Sequence, residues 1–434
     1  MVDLTDSTKR DAAIEPVSDR RVFALSAGAM MALSVLAGVI NYASSIVFGR
    51  ILSPSSFGEL TALLSLVVIV TIPTSAAQMI VAERIASLRA QTRLAQVRYL
   101  LRYGAAYVLL LSVLVGVAYV ALIPVVVRVL HLAHLGPAIA TLPLLAAGFF
   151  LSFAQGVLQG LERFVALGLT VIIAAVSRLV IGVPWALLGG GPGGALGGQA
   201  LGSVVGIGLA WWVVRDLHLP RGTGAARAGV RRRPDSRAFW AVAGYVAFAL
   251  LSNLDVILAK SFLEPAASGR YAALVTIERI ILFLPGAIAI VTVPSAARAR
   301  IQSDGHTTVL RTATFAILAC VLIIVVPAAL APRLLLTIMF GSRYASAAAG
   351  VLPITIAGGG FALLDLLIAY TVSIGHRRAT YLLLAMVPIQ AAAIFVWHGS
   401  APQIASVQAG VVIVALIINE ALCFPLLRAH RHVA

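Results

Sequence analysis

Residues 41–58 (NYASSIVFGRILSPSSFG) and 253–269 (NLDVILAKSFLEPAASG) carry the same punctuation: Pro54-x3-Gly58 recurs as Pro265-x3-Gly269, 211 positions further on. The correspondence continues downstream. Leu142-Pro143 opens one apolar run (LPLLAAGFFLSFAQG) and Leu352-Pro353 opens another (LPITIAGGGFALLDL). The chain therefore reads as a duplicated unit. Duplication in an apolar sequence restricts the fold to two homologous bundles that face each other, with any shared path at the interface between them.

Composition decides the solvent. With 61% hydrophobic residues, 11% charged residues and a mean hydropathy of +1.01, the chain has too little polar side chain to cover a soluble globule. A helix needs about 20 apolar residues to cross the hydrocarbon. Twelve stretches meet that length, taken here as spans 1 to 12: 22–48, 58–82, 103–123, 136–161, 166–188, 198–214, 238–259, 270–295, 312–332, 348–374, 380–397 and 404–427. The expected fold class is an all-α polytopic membrane protein of twelve transmembrane helices in two homologous six-helix lobes. Its expected parts are a cytoplasmic tail (1–21), an N-terminal lobe (22–214), a basic cytoplasmic linker (215–237) and a C-terminal lobe (238–434). Six spans on each side of the linker make both lobes enter from one side, which relates them by an axis along the membrane normal.

The net charge of +16 raises the question of nucleic acid. That reading needs the basic residues on one folded surface, and here they are spread over alternate loops. If the N-terminus is cytoplasmic, inner segments hold 24 of the 32 Lys and Arg residues, and outer loops hold six: Arg50, Arg128, Lys260, Arg270, Arg333 and Arg343. Arg178 and Arg279 fall within spans. The positive-inside rule then orients the chain in the cytoplasmic (inner) membrane with both termini cytoplasmic, and no nucleic-acid partner is expected. Tryptophan agrees: Trp185 and Trp397 fall at outer span ends, and Trp211, Trp212 and Trp240 at inner ends. The tail mixes acids and bases without a small-residue cleavage pattern, so it reads as retained. Cys320 and Cys423 sit within spans, where a thiol behaves as a small hydrophobe.

Several chemistries are set aside. The run GGGPGGALGG from Gly189 lacks the Lys-Ser/Thr of a phosphate-binding loop and is expected to be a flexible outer connection. His131 and His134 have no third ligand nearby, and no metal or cofactor is expected. Outer loops are too short for a sizeable catalytic segment, so an enzyme is not expected.

The charges inside the membrane are the candidate functional residues. A charged side chain at mid-bilayer costs about 2.5–3.5 kcal/mol on insertion scales, so each one implies a partner or an aqueous path. Arg178 lies near mid-depth in span 5, Asp255 in the outer third of span 7, and Glu278 and Arg279 near the middle of span 8. Asp365 lies in the inner part of span 10, and Glu420 in that of span 12. Asp255 and Arg279 lie at similar depth and are within pairing range, whereas Glu278 and its neighbour Arg279 point about 100° apart. The two lobes differ at these positions: Asp255 aligns with Ala43, and Glu278 and Arg279 with Val67 and Val68. Two readings stand for each charge, a structural ion pair between helices and a lining of a path. Arg50 and Asn253 join the candidates at the outer interface, where snorkelling is the competing reading for Arg50.

These residues carry a resemblance. GRILSPSSFGELTALLSLVVIV in spans 1 and 2, and LLSNLDVILAKSFLEPAASGRYAALVTIERIILFLP in spans 7 and 8, resemble bacterial oligosaccharide flippases. These are polysaccharide biosynthesis or export proteins of the multidrug/oligosaccharidyl-lipid/polysaccharide exporter superfamily. The resemblance implies a V-shaped pair of lobes around a central cavity lined largely by spans 1, 2, 7 and 8. It implies a polyprenyl-pyrophosphate-linked oligosaccharide as substrate, flipped across the bilayer by rocking of the lobes. Envelope glycosyltransferases and a polymerase are the implied partners. Pyrophosphate requires cationic donors, and Arg178 and Arg279 match that need. The superfamily's other large branch, cation-coupled drug exporters, would instead use Asp255, Glu278 and Asp365 to bind H⁺ or Na⁺.

Overall fold

A computed structural model describes residues 17–91, 93–215, 236–299, 306–374 and 377–423. Most of the expected tail and of the basic linker, including Arg231, Arg232 and Arg233, lies outside the described residues. Among the described residues the chain is helical, with no strand. Helices α1 (Val17–Ile51), α2 (Pro54–Ala90), α3 (Leu94–Val129) and α4 (Leu135–Gly160) carry spans 1 to 4. Span 5 is divided between α5 (Phe164–Val180) and the short α6 (Gly182–Trp185), and α7 (Gly191–Val213) is span 6. Span 7 is likewise divided, into α8 (Ser236–Leu251) and α9 (Leu254–Phe262). Then come α10 (Pro265–Ala299), α11 (His306–Leu330), α12 (Pro332–Phe340), α13 (Val351–Ile374), α14 (Arg378–Val396) and α15 (Ala401–Ile418).

Each of the twelve expected spans coincides with one of these helices or broken pairs. By length and hydropathy alone, nine described stretches cross a membrane, or ten with α11 and α12, which bend by 101°. One of the nine, Phe164–Val213, contains both spans 5 and 6. Helix α12 has no counterpart in the sequence reading. Leu336 and Phe340 are buried while Leu334 and Ile338 are each 60% exposed, so this helix lies across the end of the bundle with one face down. All five tryptophans occupy helix ends, and Arg215 and Arg377 lie over the rings of Trp212 and Trp240 at 5.0 and 5.6 Å.

Helix starts follow local chemistry. Pro54 opens α2 with its fixed φ, and Ser53 Oγ accepts the Ser56 N–H at 3.2 Å. Pro265 opens α10 in the same way. These matched starts are where the lobes meet. Within the N-terminal lobe α2 packs on α4, α4 on α7, α5 on α7 and α1 on α5; within the C-terminal lobe α10 and α15 pack on α13, and α8 on α14. Between lobes, α2 packs against α8, α9 and α10, and α1 against α10 and α12. Spans 1, 2, 7 and 8 therefore form the seam.

Glycine sets the closeness of that seam. A Cβ on Gly58 would lie 2.8 Å from Ser268 Oγ and 2.9 Å from the Gly269 nitrogen, and a Cβ on Gly269 would overlap the Pro54 carbonyl. The two Pro-x3-Gly elements are thus the two sides of one contact, through which α2 and α10 approach backbone to backbone.

The run from Gly189 corrects an expectation. Only its beginning is a turn, with Gly189 and Gly191 at positive φ. From Gly191 onward it is helix. A Cβ on Gly194 would meet the Ala186 nitrogen at 2.6 Å, and one on Gly198 would meet the Gly182 nitrogen at 2.5 Å. The glycines let α7 lie flush on α5 and α6, so most of the run is a packing face rather than a flexible connection.

Candidate functional site

Span 7 breaks at Ser252–Asn253, and a break inside a membrane frees backbone groups that need partners. Two buried glutamines supply them. Gln390 of α14 and Gln408 of α15 both donate to the Leu251 carbonyl, at 2.8 and 2.9 Å. The Ser252 hydroxyl donates to the Phe248 carbonyl at 2.9 Å, and Asn253 Nδ2 to that of Ala249 at 3.0 Å. The break thereby points Asn253 Oδ1 at Arg279, whose Nη2 donates to it at 2.8 Å. The same Nη2 donates across the seam to Ser65 Oγ of α2 at 2.7 Å. Ser65 spends its own hydrogen on the Thr61 carbonyl at 3.0 Å, leaving a lone pair for the guanidinium.

Arg178 reaches the same region from the other lobe. It sits in the last turn of α5, 4% exposed, and its Nη1 donates to Asn41 Oδ1 of α1 at 2.6 Å. Its guanidinium lies 5.6 Å from the centre of the Phe48 ring, and its Nε has no hydrogen-bond partner. Arg178 and Arg279 are near enough to repel one another. Helix α1 separates them: one position beyond Asn41, Tyr42 packs on Phe283 of α10, with ring centres 5.5 Å apart. Neither arginine has an ion-pair partner among the described residues. Two cations from opposite lobes thus meet at the seam, hydrogen-bonded to neutral groups alone, with the buried Asp255 and Glu278 near enough to attract Arg279.

The acids divide. Asp255 is fully buried at the start of α9, where the helix dipole favours it, and its Oδ2 accepts the Tyr271 hydroxyl at 2.6 Å. Its partner is therefore Tyr271, not Arg279. Glu278 is 1% exposed with both carboxylate oxygens lacking a hydrogen-bond partner, inside the C-terminal lobe where α10 runs against Gly358 of α13. Glu278 and Arg279 accordingly face apart, one into its own lobe and the other to the seam. Asp365 is exposed on α13, beside Tyr245, and stands apart from the arginines.

Arg50 is placed elsewhere, at the seam's Pro54 end. Its Nε donates to the Met339 carbonyl at 2.9 Å and its Nη2 to that of Ile338, both in the last turn of α12. Arg343 answers from the opposite lobe, with Nη2 donating to the Arg50 carbonyl at the end of α1 at 2.6 Å, and the Tyr344 hydroxyl donates to the Gly49 carbonyl at 2.8 Å. Phe57 packs on Phe340 and Tyr344 beneath them. Each lobe gives an arginine to the carbonyl end of the other lobe's helix, where the dipole is negative. Nearby, Lys260 of α9 is 2% exposed with its Nζ unpartnered. It feels the charge of Glu59 on α2, whose Oε1 accepts the Ala133 N–H at 3.1 Å.

Sequence reasoning did not single out Asn41, Ser65, Tyr271, Gln390 or Gln408. One signal was available: LLSNLD places Ser-Asn before Asp in an apolar run, the composition of a helix start. It marks the break that aims Asn253.

Solved structures of like fold include membrane transporters. The inward closed conformation of the lipid II flippase MurJ superposes with a TM-score of 0.66 at 10% identity, covering 90% of this chain and 86% of that one. The inward-facing conformation of a multidrug resistance MATE family transporter of the MOP superfamily superposes with a TM-score of 0.64 at 14% identity, covering 93% and 99%. An outward-facing structure of that family superposes less closely, with a TM-score of 0.50 at 16% identity and coverage of 91% and 92%. No curated protein matches the sequence. The fold is therefore that of the MOP transporters, a multi-pass membrane bundle of two lobes. Residues 23–300 match the polysaccharide biosynthesis protein family, and the chain belongs to it.

Proposed function

We propose that the protein moves a polyprenyl-pyrophosphate-linked oligosaccharide across the cytoplasmic membrane for cell-surface polysaccharide synthesis, by alternating access of its two lobes. One observation carries the reading: Arg178 and Arg279 come from opposite lobes to the seam, near enough to feel one another, and each hydrogen-bonds to neutral partners alone. A buried guanidinium without a direct ion-pair partner is costly, and that cost is offset when a diphosphate reaches the two as the seam parts. Membership in a polysaccharide biosynthesis family supports the sugar cargo, and MurJ, of like fold, is a lipid II flippase.

In this reading the Pro54 end faces outward, both termini are cytoplasmic, and the linker at 215–237 joins lobes 22–214 and 238–434. The interlobe contacts around Gly58, Arg50 and Tyr344 then close the outer side. The headgroup enters from the cytoplasm, meets the arginines as the seam parts, and leaves when the outer contacts open, while the lipid tail stays in the bilayer. Glu278, with both carboxylate oxygens unpartnered, is the group to carry H⁺ or Na⁺ if the cycle is ion-coupled. The chain moves its substrate without remaking its bonds. The test is genetic: Arg178→Ala with Arg279→Ala abolishes surface polysaccharide at unchanged protein level. Wild-type polysaccharide in that double mutant would remove both residues from the mechanism.

A further inference from the structure

Asn41 and Asn253 both lie near the start of the repeated stretches NYASSIVFGRILSPSSFG and NLDVILAKSFLEPAASG, one place out of the 211-residue register, which sets Asn253 against Tyr42. Each also gives its side-chain oxygen to an intramembrane arginine, at 2.6 Å to Arg178 and 2.8 Å to Arg279. The arginines themselves are not equivalent, since one lies on α5 and the other on α10, and Arg279 aligns with Val68 of the first half. What the two sites share is the carboxamide holder, not the cation's place in the repeat.

We infer that Asn41 and Asn253 are positioning residues that fix the two guanidiniums through a neutral oxygen rather than a direct ion pair, so that both stay available to an anionic headgroup. The inference rests on the reading of the site given above. A carboxamide and a carboxylate have nearly the same shape, but only the carboxylate would cancel the cation and compete with phosphate for it. The surroundings keep the holder neutral, and the near acids Asp255 and Glu278 act on Arg279 through space without a direct ion pair. Asn253 Nδ2 is committed to the Ala249 carbonyl at 3.0 Å and to Ser252 Oγ at 3.1 Å, so its oxygen is the atom that faces Arg279. Asp255, two residues on, has one oxygen tied to Tyr271 at 2.6 Å and makes no ion pair with Arg279 among the described residues. Ser65, the other partner of Arg279, is neutral as well.

The test uses the full-length protein in lipid nanodiscs, with farnesyl pyrophosphate as probe and farnesol as the uncharged control. Asn41→Asp and Asn253→Asp should each weaken farnesyl pyrophosphate binding about tenfold or more, the scale of one charge-assisted hydrogen bond, and leave farnesol binding unchanged. Thermal stability should hold or rise, because each change adds an ion pair. A purely structural cap would show that stability gain with no loss of pyrophosphate affinity, and this result overturns the inference. If the aspartates prevent folding, Asn41→Leu and Asn253→Leu carry the test, with a loss of about threefold expected from a charge kept but no longer held. Unchanged pyrophosphate affinity in the leucine variants overturns it equally. Arg178→Ala with Arg279→Ala separates the two levels: if that variant loses the probe and the asparagine variants do not, only the positioning role fails. If it binds the probe as wild type does, the substrate reading itself fails.

Discussion

Two tiers of arginine join the lobes, and they are held in opposite ways. At the Pro54 end, Arg50 and Arg343 spend their donors on backbone carbonyls at the ends of α12 and α1, each reaching into the opposite lobe. Deeper in the seam, Arg178 and Arg279 bond only to asparagine and serine side chains, and Arg178 keeps an unpartnered Nε. The outer pair is exposed, so its charge is solvated and its hydrogen bonds act as a clasp. The inner pair is buried or half-buried without a direct ion pair, an arrangement that costs stability and that the proposed function assigns to receiving an anion. One side-chain type therefore does two jobs, and its partners tell them apart.

Removing both members of each tier breaks the comparison most strongly. Arg178→Ala with Arg279→Ala should lower the rate of lipid-linked oligosaccharide transport about a hundredfold, equivalent to two charge-assisted contacts. Arg50→Ala with Arg343→Ala should leave that rate within about threefold, because a clasp biases a conformational equilibrium rather than binding cargo. Its effect should appear as a broader distance distribution between spin labels at Ser55 and Ala266, measured by double electron–electron resonance. Gly269→Ala sharpens the same point. Its methyl would overlap the Pro54 carbonyl, so the label distance should lengthen as a whole rather than broaden.

Smaller effects are expected away from the seam. Gln390→Leu and Gln408→Leu each remove a donor to the Leu251 carbonyl, and each should lower unfolding free energy by about 1–3 kcal/mol in a denaturant titration. The Arg89–Glu162 ion pair, 3.0 Å long with both side chains about half exposed, should matter least. Glu162→Ala should cost at most about 1 kcal/mol in the same titration.

Much of the fold was legible in the sequence because the bilayer imposes one simple demand, a long apolar helix, repeated along the chain. The duplication was legible too, but not its consequence. Pro54-x3-Gly58 and Pro265-x3-Gly269 read as parallel punctuation, and nothing local to either says that the two touch. Breaks inside spans were hidden for a related reason: hydropathy averages over a window, and Ser252-Asn253 is short enough to vanish in it. The repair of that break comes from Gln390 and Gln408, far along the chain. Arg178 and Arg279 stood out because charge is rare within spans, whereas Asn41, neutral and common, did not. Asp255 and Arg279 were matched by depth alone, yet rotation about the helix axis gave Asp255 to Tyr271. Arg50 was read at the outer interface, with snorkelling as its competing reading, but α12, whose carbonyls receive it, had no counterpart in the sequence reading.

The central claim is that the two inner guanidiniums receive a diphosphate headgroup. The most direct measurement is flipping of a fluorescent polyprenyl-pyrophosphate oligosaccharide in proteoliposomes, comparing the wild-type chain with Arg178→Ala/Arg279→Ala. The account predicts translocation by the wild type and a rate about a hundredfold lower, close to that of protein-free vesicles, by the variant. Equal translocation by both would contradict it.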